Sequence, residues 1–165
     1  MTEQNAGQNT ALELVRLLKS KKLHIALAES CTGGMIAQML TAVAGASEVF
    51  ELGVVSYSER IKSKVINVQK ATLAKYTVYS AETAQEMALG VLALADADLA
   101  VGVTGLAGPG GGTAEKPVGL VYIAVGNAEN LQAHEFHFSG SRSEIRQKAA
   151  AAALRLAWEF AEKLL

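Results

Sequence analysis

Ser30, Cys31 and Thr32 stand together, followed by two glycines, in the stretch L-A-E-S-C-T-G-G at 27–34. A hydroxyl and a thiol side by side at a turn are candidate nucleophiles. An alternating apolar run, Leu23, Ile25 and Leu27, leads into them. Apolar residues at helical spacing, Met35, Ile36, Met39 and Leu40, follow. The pattern predicts a strand, a tight turn and a helix start. A helix start offers unpaired N–H groups and the positive end of a dipole, and glycine lets a substrate come close to the backbone. Backbone N–H groups at Thr32, Gly33 and Gly34 are therefore candidate donors to a developing oxyanion. The plainer alternative is that Ser30 or Thr32 only caps the helix, and the octapeptide alone leaves both open.

A serine nucleophile needs a base. The histidines are His24, His134 and His137, one in the first strand and two alternating along a late one, and none lies in a glycine-rich turn. Neither a Ser-His-Asp triad nor a histidine metal cluster is suggested. Lysine is the natural replacement, because burial lowers its pKa into the range of a usable base. Lys62 follows a second strand, in S-Y-S-E-R-I-K at 56–62. If the two strands are neighbours, both turns open on the sheet edge where α/β proteins bind ligands. On its residue type alone, Lys62 reads first as a helix-surface lysine and has only a weak claim to be the base.

A second unusual stretch, G-L-A-G-P-G-G-G-T-A-E-K at 105–116, holds Gly105, Gly108, Gly110, Gly111 and Gly112. No regular element accommodates it. It lacks the Gly-Lys-Ser/Thr ending of a Walker A loop, and Pro117 with an apolar strand follows it where a Rossmann loop would open a helix. It reads as a loop that shapes a substrate or phosphate site with N–H donors, or as a mobile connector.

The elements that position these stretches follow from periodicity. Helices are predicted at 11–19, 33–41, 59–66, 72–76, 81–95 (capped by Ser80) and 144–165. Strands are predicted at 23–29, 48–57, 97–104, 118–125 and 131–138, with Gly53 marking a bulge or a close approach. Interleaved strands and helices, ending in two consecutive strands, predict an α/β fold: a three-layer α/β/α sandwich with a mixed, mostly parallel sheet. Residues 1–10 read as a flexible tail and 11–165 as a single domain. The chain has 165 residues, half of them hydrophobic and 19% charged, with a net charge of -1, so a sizeable core is available and neither a nucleic-acid nor a membrane surface is expected. A lone cysteine excludes an internal disulfide. With no signal-peptide pattern and no apolar run of about 20 residues, the cytoplasm is the expected compartment.

Four motifs taken together resemble one family. A-E-S-C-T-G-G (28–34), G-V-V-S-Y-S…K (53–62), T-G-L-A-G-P-G-G-G-T-A-E-K-P-V-G (104–119) and G-S-R-S-E-I-R (140–146) resemble the CinA C-terminal domain, the nicotinamide-nucleotide amidase family, in the right order and over most of the chain. The resemblance implies an α/β/α amidase, without metal or other cofactor, that converts nicotinamide mononucleotide to nicotinate mononucleotide and ammonia. It implies a catalytic serine at Ser30, a catalytic lysine at Lys62 and a catalytic tyrosine at Tyr57. It also implies substrate binding by Thr104, by the glycine loop (Gly105, Gly108, Gly110, Gly111) and by Arg142 or Arg146. The chain resembles the stand-alone form, without the N-terminal nucleotide-binding domain of larger members. The expected partners are a small-molecule nucleotide and further copies of the chain. Three positions depart from the family pattern: Glu59 where Asn is usual, Val78-Tyr79 before Ser80, and Ser141 where an acidic residue is usual. They leave a second function open, a catalytically impaired nucleotide-binding or regulatory module of the same fold.

Overall fold

The computed structural model describes residues 3–164. Met1, Thr2 and Leu165, included in the expected tail and last helix, lie outside the described residues. The elements in order are α1 (Glu3–Lys21), β1 (Ile25–Glu29), α2 (Met35–Thr41), β2 (Phe50–Val55), α3 (Glu59–Ile66), α4 (Lys70–Tyr76), α5 (Ala81–Ala95), β3 (Leu99–Gly105), β4 (Leu120–Gly126), β5 (Leu131–His137) and α6 (Arg142–Lys163). A 3-10 turn at Ala46–Glu48 precedes β2.

The sheet order is β2-β1-β3-β4-β5. β1 pairs in parallel with β2 and β3, and the β3/β4 and β4/β5 pairs are antiparallel. Four strands therefore share a direction and β4 opposes them, so the sheet is mixed as expected. The chain runs from β1 to β2 on one side, then crosses to β3 on the other. That reversal puts a crevice beyond the C-terminal ends of these strands.

The two faces of the sheet carry different side chains. Ile25, Leu27, Val101, Val103, Val121, Ile123 and Val125 point toward α1, α2 and α6 and form the larger core with Leu14, Leu18, Ile36, Ala149, Ala153 and Leu154. Ala26, Ala28, Ala100 and Ala124 point the other way, into a cluster with Ala84, Met87, Ala88 and Val91 of α5. On that face the helix almost touches the sheet. A Cβ built on Gly102 would lie 2.2 Å from the Ala84 carbonyl oxygen and 2.8 Å from the Ala88 nitrogen. No side chain fits there, so glycine is required at this position.

One expectation needs correction, and one open alternative is decided. The helix predicted at 11–19 begins at Glu3, so residues 3–10 are helical, not a tail. Tertiary contact explains it: a Cβ on buried Gly7 would stand 3.3 Å from Met39 Sδ and 3.4 Å from Ala151 Cβ, and Gln8 donates to the Met39 carbonyl at 3.1 Å. Packing holds a segment whose polar composition suggests fraying. Gly53 is a close approach and not a bulge. Its added Cβ would meet the Phe50 ring at 2.9 Å, and the register shift falls earlier, where Ile25 and Ala26 pair with Phe50 and Leu52.

Candidate active site

Ser30 is the first residue past β1, and Ser56 is the first past β2. Their N–H groups continue the parallel ladder, Ser30 donating to Val103 O at 3.0 Å and Ser56 to Glu29 O at 2.9 Å, which sets the two serines side by side at the sheet edge. Ser58 then starts α3, its hydroxyl accepting from the Ile61 N–H. Lys62 falls one turn later and reaches back over the sheet edge. Its Nζ lies 3.0 Å from Ser30 Oγ and donates to the Ser56 carbonyl.

Lys62 is only 1% exposed. Burial disfavours the ammonium and lowers its pKa to about 8, against smaller opposing effects from Cys31 and Glu59. Among the described residues no carboxylate lies within 4.0 Å of Nζ. The lysine can therefore lose its proton near neutral pH while in contact with a serine hydroxyl. Cys31 is in the opposite condition. It is 4% exposed, and burial pushes its thiol up to about 11, so little thiolate forms.

Glu29 shapes this turn and was not read from the sequence as a site residue. The last residue of β1, it is 1% exposed and accepts from the N–H groups of Gly34 (3.0 Å), Ile36 (3.2 Å) and Ala37 (2.9 Å). Its carboxylate neutralises the start of α2, where Gly34 sits as N-cap at φ 95. Two of the three expected oxyanion donors, Gly33 and Gly34, are corrected accordingly. The Gly34 N–H is taken by Glu29, and the Gly33 N–H donates to Ser30 O at 3.0 Å. Thr32 is fully buried, and its carbonyl accepts from Arg146.

The cleft in front of Ser30 has a volume of about 490 Å³. Its walls come from Ser30, Cys31 and Lys62, from Tyr57 to Glu59, from Val78 and Tyr79, from Gly105 to Gly108 with Gly110 and Gly111, and from Arg142. The glycine loop is thus a wall of the cleft. Lys116, at its far end, pins it to the neighbouring wall by donating to Tyr76 O (3.0 Å), Thr77 Oγ1 (2.7 Å) and Tyr79 O (2.7 Å). This also accounts for the terminal lysine of the motif, whose role the sequence alone did not reveal.

The two arginines separate. Arg142, the first residue of α6, donates to Gly108 O at 2.7 Å and to the Tyr57 hydroxyl at 2.8 Å, across the cleft mouth. Arg146, one turn on, faces inward and donates to Cys31 O at 3.0 Å and Thr32 O at 2.9 Å. It braces the nucleophile turn and does not line the cleft. Thr104 is corrected in the same way: fully buried, it donates from Oγ1 to Val78 O at 2.7 Å and holds the cleft wall from behind. Tyr57 is 63% exposed at the rim and bonded to Arg142. Of the unusual positions, Glu59, Val78 and Tyr79 line the cleft, whereas Ser141 caps α6 in a reciprocal pair with Glu144. His24 precedes β1, at the end of the sheet away from Ser30, and His134 and His137 lie on the edge strand β5.

The family model of the CinA C-terminal domain matches residues 7–161. The chain belongs to the CinA C-terminal domain family. A CinA-family relative from Thermoanaerobacter sp. (strain X514), named a putative competence-damage inducible protein, is 50% identical over 141 residues, covering 86% of this chain and 34% of the relative. A CinA-like protein of Endomicrobium trichonymphae is 47% identical over 141 residues, covering 86% of this chain and 33% of its own length. The chain thus spans about a third of the curated relatives it matches. Solved CinA-superfamily structures match over nearly their whole length. The competence/damage inducible protein CihA from Agrobacterium tumefaciens superposes with a TM-score of 0.89 at 40% identity, over 92% of this chain and 93% of that one. The competence damage-inducible protein A from Klebsiella pneumoniae superposes with a TM-score of 0.92 at 34% identity, over 96% and 99%. Among the described residues no helix is long and apolar enough to cross a membrane.

Proposed function

We propose that this CinA domain is an amidase that hydrolyses the carboxamide of nicotinamide mononucleotide, giving nicotinate mononucleotide and ammonia. The observation that carries the reading is the contact between Ser30 Oγ and a buried Lys62 whose pKa is lowered to about 8. A neutral amine in hydrogen-bond contact with a hydroxyl is a general base placed on its nucleophile.

The reaction then proceeds as follows. Lys62 Nζ takes the Ser30 proton as Oγ bonds to the carboxamide carbon. The Ser56 carbonyl holds one Nζ hydrogen and so aims the lone pair at Ser30. The negative oxygen of the tetrahedral intermediate accepts from the N–H of Cys31, which follows the nucleophile and lines the cleft. Lys62 returns its proton to the amide nitrogen, the C–N bond breaks and ammonia leaves. Water then adds to the ester as Lys62 takes a proton from it. Lys62 passes that proton to Oγ as the C–Oγ bond breaks, which restores Ser30 and releases the acid, which ionises to the carboxylate. Arg142, at the cleft mouth, pairs with the phosphate through its planar fork; its present partners, Gly108 O and the Tyr57 hydroxyl, mark where a second acceptor would sit.

The test is ammonia release from nicotinamide mononucleotide by the purified protein and by two variants. Ser30→Ala should abolish release, while Cys31→Ala should retain most of it, since a buried thiol near 11 supplies no nucleophile. Nucleotide binding without any release would favour a regulatory module of the same fold.

A further inference from the structure

Two side chains of opposite fixed charge line the cleft, Glu59 and Arg142. They come from different elements. Glu59 is the first residue of α3, one helical turn ahead of Lys62, so it belongs to the dyad's end of the cleft. Arg142 starts α6 and stretches between the Tyr57 hydroxyl and the Gly108 carbonyl at the mouth. Glu59 is the only acidic side chain lining the cleft, and among the described residues it makes no hydrogen bond or ion pair that would neutralise it. Its charge is felt at the site, because it is one of the groups that oppose the loss of a proton from Lys62. A ligand that spans this cleft meets a carboxylate near its reacting end and a guanidinium at the other. Its best match is a zwitterion with the cation next to the amide and the anion remote from it.

On the amidase reading, we infer that Glu59 makes the site select amides borne on a cationic ring, an N-substituted pyridinium, over the same amide on a neutral ring. The carboxylate disfavours an anionic group at the dyad's end and favours a ring with a delocalised positive charge. Glu59 is exposed, so water screens part of the attraction. It also borders a second groove, lined by Arg60, Ser63 and Lys70.

Nicotinamide mononucleotide and its reduced dihydropyridine form test this directly. They share the carboxamide, ribose and phosphate and differ in ring charge. Titration calorimetry would be run on Ser30→Ala and on the double variant Ser30→Ala/Glu59→Gln, so that binding is read without turnover. Removing the Glu59 charge should weaken the pyridinium ligand about fivefold, the upper end for an exposed charge pair, and should change the reduced ligand less than about twofold. Glu59→Asp should keep most of the preference. In proteins that retain Ser30, the ratio of kcat/KM for the two substrates should fall by the same factor on Glu59→Gln. The intrinsic reactivity of each amide and the influence of Glu59 on Lys62 cancel in that comparison. Equal weakening of both ligands, no weakening of either, or failure of the pyridinium nucleotide to bind overturns the inference. Binding with the expected preference but no ammonia release overturns only the amidase reading.

Discussion

Replacing Lys62 by methionine separates the cost of burying the base from its use. The pKa of Lys62 falls from 10.5 to about 8. Each unit is worth about 1.36 kcal/mol, so the shift corresponds to about 3 kcal/mol. The folded-state value is the lower one, and between pH 8 and 10.5 the unfolded chain therefore binds more protons than the native protein. Stability attributable to this residue rises with pH across that window. Below pH 8 both states are protonated and the full penalty is present. Methionine keeps much of the side-chain volume and has no proton to lose. It also leaves the Ser56 carbonyl without its lysine donor, a cost of about 1–3 kcal/mol at every pH. At pH 7 the two effects nearly offset, and the variant should be about as stable as the parent. By pH 10 the parent should lead by a further 2–3 kcal/mol or so. Urea unfolding of both proteins at pH 7, 8, 9 and 10 measures this, and other titrating groups cancel in the difference. A difference that stays constant with pH would refute the claim that Lys62 is buried with a depressed pKa.

Three further outcomes follow from the geometry. Since neutral Lys62 is the base, kcat/KM for ammonia release should rise with pH to a plateau above a midpoint near 8, and Lys62→Arg should be inactive at every pH because arginine keeps its charge. Arg142→Gln should raise KM for the mononucleotide about tenfold and leave the riboside, which lacks the phosphate, unchanged, whereas Arg146→Gln should weaken both substrates alike and lower Tm through loss of its bonds to Cys31 O and Thr32 O. Glu29→Gln should destabilise the protein by about 1–3 kcal/mol, because an amide cannot accept from all three N–H groups that the carboxylate holds; an unchanged denaturation midpoint would show that water can replace it.

The elements were legible in the sequence because their patterns are local. The alternation into Glu29 and the Ser80 cap place β1 and α5 close to where they are found. Ser30 and the glycine loop stand out by residue type, the family resemblance gives Ser30 and Lys62 their roles, and the structure brings them to one cleft. What escaped the sequence depends on long-range contact. Glu29 looks like the polar end of a strand until the next helix is seen to start on its carboxylate. Arg142 and Arg146 are four apart on one helix, and spacing alone cannot say which reaches across the mouth and which turns inward. Thr104 sits next to the glycine loop in sequence, yet its hydroxyl points behind the cleft wall. The helical start at Glu3 depends on Met39 and Ala151, both distant in the chain.

The two unlike faces of the sheet imply an uneven tolerance of change. On the side of α1 and α6, large aliphatic side chains fill the space, and one can be exchanged for another as long as volume is kept. On the side of α5 the spacing is set by backbone against backbone at Gly102, and there is nothing to exchange. Any added atom there must lift α5. Since Ser80 caps that helix and Val78 and Tyr79 lead into it, the cleft wall would move as well. Variation accumulating in this lineage should therefore be registered as altered robustness on one side of the sheet and as altered catalysis on the other.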